Sequence, residues 1–259
     1  MNQQTGVGGE INVRVATRIR PLLKNEILTG EKTCVRAISS NNQIVFGKDK
    51  IFTFDHVYPV FGHQLNVFSS CVLPLIRNFF EGYNSTVFAY GQTGSGKTYT
   101  MGTSNQIELL EEERGIVPRA IDEIFNIIRD SEIPKYSITA SFIEIYKEDV
   151  RDLLDSGELV TKDIHIREDD KGNTIVCGIY EHLCETKEDL LECLEEGSAN
   201  RVTRSTQMNE HSSRSHCVFT ITLVQEWPVD ASIVNATSGR ENASRKGFKT
   251  FRNSKNSIF

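Results

Sequence analysis

Gly91, Gln92, Thr93, Gly94, Ser95, Gly96, Lys97 and Thr98 follow one another as G-x-x-x-x-G-K-[ST], a spacing in which each residue type suits part of a polyphosphate. Glycines at 91, 94 and 96 let the backbone wrap until several N–H groups point inward at an anion, and a helix starting behind them adds the positive end of its dipole. Lys97 is long enough for the β- and γ-phosphates of a nucleotide, and the Thr98 hydroxyl is a ligand for Mg²⁺. A Gly/Ser/Thr-rich surface turn would share the composition. It would not explain the apolar, strand-like run at 86–90 ahead of the loop or the unbroken stretch from Tyr99 behind it. The expected ligand is a nucleoside triphosphate.

The elements that must hold this loop are legible as periodicities. Alternation at 11–17, 43–46, 51–54, 136–146 and 217–225 predicts strands, with a turn at 47–50 joining the second and third. Leu65, Phe68, Val72, Ile76 and Phe79 fall at helical spacing and predict a helix over 64–80, kinked at Pro74 and ended by Gly82. Pro118 opens a further helix with a stripe of Ile121, Ile124, Phe125 and Ile128. Thr186 to Asp189 has the form of a capping box before Leu190, Leu191 and Leu194. Strands interleaved with helices around a phosphate loop give an α/β, three-layer domain with a mixed central sheet.

Bulk properties narrow the function classes. The chain has 259 residues, 38% hydrophobic and 25% charged, enough for one large core. A net charge of −6 argues against nucleic-acid binding driven by global charge. No apolar run has the length of a signal peptide or membrane span, so a cytoplasmic protein away from membranes is expected. Six cysteines without a C-x-x-C pair read as free thiols, and His211, His216 and Cys217 read as structural rather than metal-binding. Residues 1–10 read as a flexible leader and 11–225 as the domain. Residues 226–259 read as a polar basic loop or disordered tail, with Arg240, Arg245, Lys246, Lys249, Arg252 and Lys255 set against Glu226, Asp230 and Glu241.

Three motifs in order point to a family. Residues 88–102, the phosphate loop with its flanks, resemble the corresponding segment of kinesin motor domains. Asn209, Glu210, His211, Ser212, Ser213, Arg214, Ser215 and His216 resemble the kinesin switch I pattern N-x-x-S-S-R-S-H, and Arg18, Ile19, Arg20 and Pro21 resemble the adenine-side R-x-R-P. The resemblance covers roughly residues 11–225, and within it 164–174 is most similar to the branch containing chromokinesins and the Hedgehog-pathway kinesins. It implies a kinesin-like P-loop NTPase fold, ATP with Mg²⁺, microtubules as partner and a place on the cytoskeleton. Arg18, Pro21 and Tyr99 would enclose the adenine. Gly91, Gln92, Thr93, Gly94, Ser95, Gly96, Lys97 and Thr98 would cradle the phosphates, and Thr98 with Ser213 would complete the Mg²⁺ shell. Lys97, Asn209, Ser212, Ser213 and Arg214 would form the catalytic set, with Ser212 and Ser213 sensing the γ-phosphate.

The resemblance breaks in one place. The family's second switch, D-x-A-G-x-E, has no counterpart between Glu226 and Phe259; Asp230, Ala231, Ser232 and Ile233 lack both its glycine and its glutamate. Missing with it are a carboxylate that orients Mg²⁺ through water, an N–H for the γ-phosphate and the glutamate that would pair with Arg214 beside the attacking water. A strand from the middle of the sheet and the main microtubule-contacting helices would be missing too, so the sequence reads as the truncated first two-thirds of a motor. Two functions stay open. One is a kinesin-type microtubule motor whose complete form hydrolyses ATP; the other is a non-hydrolysing nucleotide-binding or interaction fragment. A small-molecule kinase is the weaker idea, because no arginine-rich lid is present and 209–216 would go unexplained. Direction, cargo and oligomeric state are not encoded here.

Overall fold

The computed structural model describes residues 13–103, 110–131, 133, 135–155, 164–170, 172, 174–207, 215–228 and 248–258. It divides into two units, Met1–His63 and Gln64–Phe259.

The first unit holds β1 (Ala16–Arg18), α1 (Lys24–Leu28), β2 (Val35–Ile38), β3 (Gln43–Phe46), β4 (Lys50–Thr53) and β5 (His56–Tyr58). β2, β3 and β4 form an antiparallel sheet, and β1 lies parallel to β5. The expected 43–54 hairpin is present, turned by Gly47 at φ 66°. β2 was not foreseen from the sequence. α1 is tied down by a bidentate pair in which Arg20 Nη1 and Nη2 donate to the Glu26 carboxylate at 2.7 and 2.6 Å. The same carboxylate accepts the Leu23 N–H at 2.7 Å.

The second unit opens with α2 (Gln64–Val67), a π-helical turn at Phe68–Val72 and α3 (Leu73–Phe80). This is the predicted 64–80 helix with its Pro74 irregularity. Proline cannot donate to residue 70 and its ring crowds that carbonyl. The widened turn absorbs the mismatch, which places Pro74 in the first turn of a fresh helix. Gly82 ends α3 at φ 98°.

β6 (Thr86–Val87), α4 (Lys97–Met101), α5 (Ile116–Asp130), β7 (Lys135–Tyr146) and β8 (Asp149–Asp152) follow. After them come the hairpin β9 (His165–Glu168) and β10 (Thr174–Cys177), then β11 (His182–Cys184), α6 (Lys187–Gln207), β12 (Ser215–Pro228) and β13 (Phe248–Ile258). The main sheet runs β11-β7-β12-β13-β6, with β8 also on β7. Only the β13–β6 pair is parallel within it, so the sheet is mixed, as expected.

One part of the core lies on the face of the β7–β12 ladder that α6 covers. Phe142 sits opposite Phe219, Ala140 opposite Ile221 and Ile138 opposite Leu223, and all six are buried. The two phenylalanines meet edge to face with centroids 5.1 Å apart. α6 covers this face, and Gly197 is why it can come so close: a Cβ there would collide with the Phe142 ring. The predicted capping box starts α6, with the Asp189 N–H donating to Thr186 Oγ1 at 3.1 Å and the Thr186 N–H to Asp189 Oδ2 at 2.9 Å.

Beyond residue 225 the structure differs from the expected tail and from the expected gap in the sheet. β12 continues to Pro228, and β13 lies between β12 and β6. The physical reason is the free edge of β12, a row of backbone donors and acceptors that a strand of polar sequence can satisfy as well as an apolar one. Among the described residues no helix is long and apolar enough to cross a membrane.

Candidate functional site

β6 delivers the chain into the phosphate loop, and α4 begins at the loop's lysine. The glycines have separate reasons. Gly94 and Gly96 adopt φ 77° and 95°, backbone that a side chain would strain. At Gly91 a Cβ would collide with Ser95 Oγ. The Ser95 N–H closes the turn onto Gln92 O at 3.1 Å. α4 is only five residues long and stops at Gly102, φ 76°. There its backbone presses on the start of α5, since a Cβ on Gly102 would meet Gly115 Cα at 2.7 Å.

Lys97 Nζ donates to Gly91 O at 2.7 Å and Gln92 O at 2.9 Å. The ammonium is therefore held across the mouth of the loop on two carbonyls, acceptors that an anionic phosphate oxygen outcompetes. Gln92, Thr93, Gly94 and Thr98 are exposed around it. Tyr99 is 48% exposed, and its carbonyl is gripped from behind by Gln64. The buried Gln64 amide donates to Tyr99 O at 2.7 Å and to Glu113 O at 3.1 Å, locking the start of α2 to α4 and to the turn before α5. Nothing in the local pattern singles out Gln64, because its role depends on carbonyls far away in sequence.

A cavity of about 410 Å³ opens beside the loop, lined on one side by Thr86, Tyr90, Lys97 and Thr98. The rest of its lining is Phe142 and Ile145 of β7, Arg201 of α6, and Ser215, His216, Cys217 and Val218 of β12, with Phe88, Ala89, Met101 and Thr103 completing it. Arg201 Nε stands 3.8 Å from Glu144 Oε1, a carboxylate 7% exposed on β7 and in register with Cys217. Burial pushes the Cys217 thiol up to about 11, with Arg201 pulling it down and Glu144 pushing it up less strongly. It is therefore a packing group, not a nucleophile, at neutral pH. Two hydroxyls, Ser95 Oγ and Ser215 Oγ, are buried without a hydrogen-bond partner among the described residues.

The sequence-predicted site residues divide three ways. Gly91, Gln92, Thr93, Gly94, Ser95, Gly96, Lys97, Thr98 and Tyr99 are together in the second unit. Arg18 and Pro21 belong to the first, where Arg18 Nη2 donates to Gly62 O at 3.1 Å and Pro21 is exposed. Asn209, His211, Ser212, Ser213 and Arg214 lie outside the described residues. No cluster of metal-ligating side chains occurs among the described residues. None of the six cysteines is in a disulfide; Cys184 and Cys193 are buried with sulfurs 4.0 Å apart, and Cys34 is exposed. Of the rest of the lining, Arg201 was missed by sequence reasoning, whereas Ser215 and His216 entered it as part of the switch I pattern.

The loop, cavity and sheet have known counterparts. Residues 18–241 match the family model "Kinesin motor domain". Kinesin-like protein KIF27 of Mus musculus is 51% identical over 216 residues, 83% of this chain and 15% of that protein. Kinesin-like protein KIF7 of Homo sapiens is 47% identical over 216 residues, 83% of this chain and 16% of that protein. A solved structure of a fast kinesin, described for its ATPase mechanism and interactions with microtubules, superposes with a TM-score of 0.78 at 29% identity. It covers 95% of this chain and 64% of its own. The chain thus spans about 15% of the length of the curated relatives it matches.

Proposed function

The chain belongs to the kinesin motor domain family, and from that premise we propose that it binds Mg-ATP at the phosphate loop and is part of a microtubule-based, cytoskeletal motor. The observation that carries this reading is Lys97 poised on Gly91 O and Gln92 O inside a loop whose glycine conformations a side chain would strain. The N–H groups of the loop would bind the phosphates, Lys97 would exchange its two carbonyls for phosphate oxygens, and the exposed Tyr99 ring would stack on the adenine. The orphaned Ser95 and Ser215 hydroxyls, buried beside the loop and in the cavity wall, also suit a polar ligand. Mg²⁺ would be held by the hydroxyls of Thr98 and Ser213 and would supply charge neutralisation between the phosphates. Asn209, Ser212 and Arg214 would respond to the γ-phosphate, and in the complete form microtubules would stimulate hydrolysis.

A second reading has its own support. β13 fills the place beside β12, and residues 248–258 carry no D-x-A-G-x-E. For the 259-residue chain taken by itself we expect nucleotide binding without microtubule-stimulated turnover. Titration with Mg-ATP tests the first part: wild type binds and Lys97→Ala does not. Steady-state ATPase with and without microtubules tests the second, and a strong stimulation would refute it.

A further inference from the structure

Away from the nucleotide site, two thiols meet where β11 passes under α6. Cys184 ends β11, and Cys193 lies further along the chain in α6. Their sulfurs are 4.0 Å apart, and the residues are sealed at 1% and 4% exposure. Cys184 Sγ also donates to His182 O at 3.6 Å. Ile138 lies opposite Cys184 in the sheet, and Leu190, one turn before Cys193, is fully buried. The chain between the two cysteines is fixed by the cap of α6, where the N–H groups of Glu185 and Thr186 both donate to Asp189 Oδ2 at 2.9 Å. Packing and backbone thus hold the sulfurs together. Bonded sulfurs stand about 2.0 Å apart, so the remaining gap is on the scale of a side-chain adjustment rather than of an unwound helix.

The proton shared by the sulfurs gives them different parts. The hydrogen bond with Cys193 draws the Cys184 thiol below its ordinary value, against the burial that raises it. The same bond, then burial, pushes the Cys193 thiol up. Cys184 is therefore the better nucleophile of the two. Access comes from the edge of the sheet. β11 has three residues and pairs with β7 alone among the described strands, and Glu185 and Thr186 beside Cys184 are exposed. Local opening of so short an edge element admits a molecule the size of hydrogen peroxide.

We propose that Cys184 and Cys193 form a modification site, a reversible disulfide made by a hydroperoxide, which fastens the start of α6 to β11. The Cys184 sulfur attacks a peroxide oxygen, the O–O bond breaks, and the first water leaves. The Cys193 sulfur then attacks the resulting sulfenic acid, forming the S–S bond and releasing the sulfenic oxygen as the second water. Two thiols and one hydrogen peroxide give one disulfide and two waters, with sulfur oxidised and peroxide oxygen reduced. The bond closes residues 184–193 into a ring and restrains that segment when the chain unfolds. The site does not depend on the nucleotide reading.

The test is a non-reducing peptide map of the full 259-residue chain, treated with hydrogen peroxide while folded and then alkylated. Trypsin cleaves after Lys187 and so separates peptide 172–187 from peptide 188–201. The two are expected to stay joined, lighter by two hydrogens than their sum, and to part on treatment with a dithiol. Fragmentation is expected to place the bond on Cys184 and not on Cys177, which shares its peptide. Oxidised wild type is expected to melt several degrees above the reduced chain. Cys193→Ala is expected to lose that gap and to keep a sulfenic acid on Cys184 that dimedone labels. Separate peptides at a dose that oxidises the exposed Cys34 overturn the proposal. A bond to Cys177, or an equal melting gap in Cys193→Ala, overturns it too. If Cys193→Ala gives no cooperative melt, the wild-type map decides alone.

Discussion

The phosphate-loop wall of the cavity takes its chemistry from eight consecutive residues, whereas a second part of the lining draws Phe142 and Ile145 from β7, Arg201 from α6 and Ser215 to Val218 from β12. The first wall is preorganised by its own dihedrals: Gly94 and Gly96 set the curve, and Lys97 reaches back only to Gly91 and Gln92. The second exists only because a ladder of twelve pairs puts Glu144 beside Cys217 and a glycine lets a helix settle on a phenylalanine. A local device tolerates changes elsewhere and fails when touched. A distributed one takes small losses from many places.

The sharpest way to separate the walls is Lys97→Ala. It is expected to weaken triphosphate binding by roughly a hundredfold or more, the loss of a direct phosphate cation, while the thermal midpoint stays within a few degrees of wild type. Gly197→Ala is expected to do the reverse. A methyl group driven against Phe142 overpacks the core at a cost of about 1–3 kcal/mol, visible in denaturant unfolding, with a several-fold weakening of nucleotide binding as α6 shifts. If Gly197→Ala abolished binding at unchanged stability, the contrast between the walls would be gone. Thr186→Ala removes the cap of α6, for about 1 kcal/mol of stability and little change in affinity.

The smallest effect is expected at a pair in the first unit that belongs to neither wall. The Arg20 guanidinium, with help from the Leu23 N–H, holds the Glu26 carboxyl down at about 2 instead of the ordinary 4.5. A depressed folded-state value contributes stability above pH 4.5 that is lost as pH falls toward 2. Glu26→Gln should therefore differ slightly from wild type in stability at neutral pH, and the difference should close through that acid window. The pair is only partly buried, so the difference is small and shrinks further in salt. A difference that widened toward acid would contradict the sign.

The same contrast explains what could be read without coordinates. The loop, the capping box at Thr186 and the turn at Gly47 were legible because each is closed by groups within a few residues of one another. The π-helical turn was foreseen only as a disturbance at Pro74, since the sequence marks the missing donor and not which ladder will widen around it. Gln64 and Arg201 carried no signal, because their partners lie far away in sequence. β13 was unreadable for a different reason. Residues 248–258 are polar with no apolar stripe, and their strand state is imposed by the edge they meet.

That edge has a consequence for the order in which the molecule is made. Thr86 and Val87, the two residues that lead into the phosphate loop, have Ser257 and Ile258 as their sheet partners. A ribosome adding about 5–20 residues per second supplies those partners on the order of ten seconds after β6 has emerged. Through that interval the nascent chain carries a nucleotide loop on an unpaired strand, while both strands of the β7–β12 ladder have already emerged. Maturation of the site therefore waits on residues made well after the loop itself, and closing so distant a contact sets its pace.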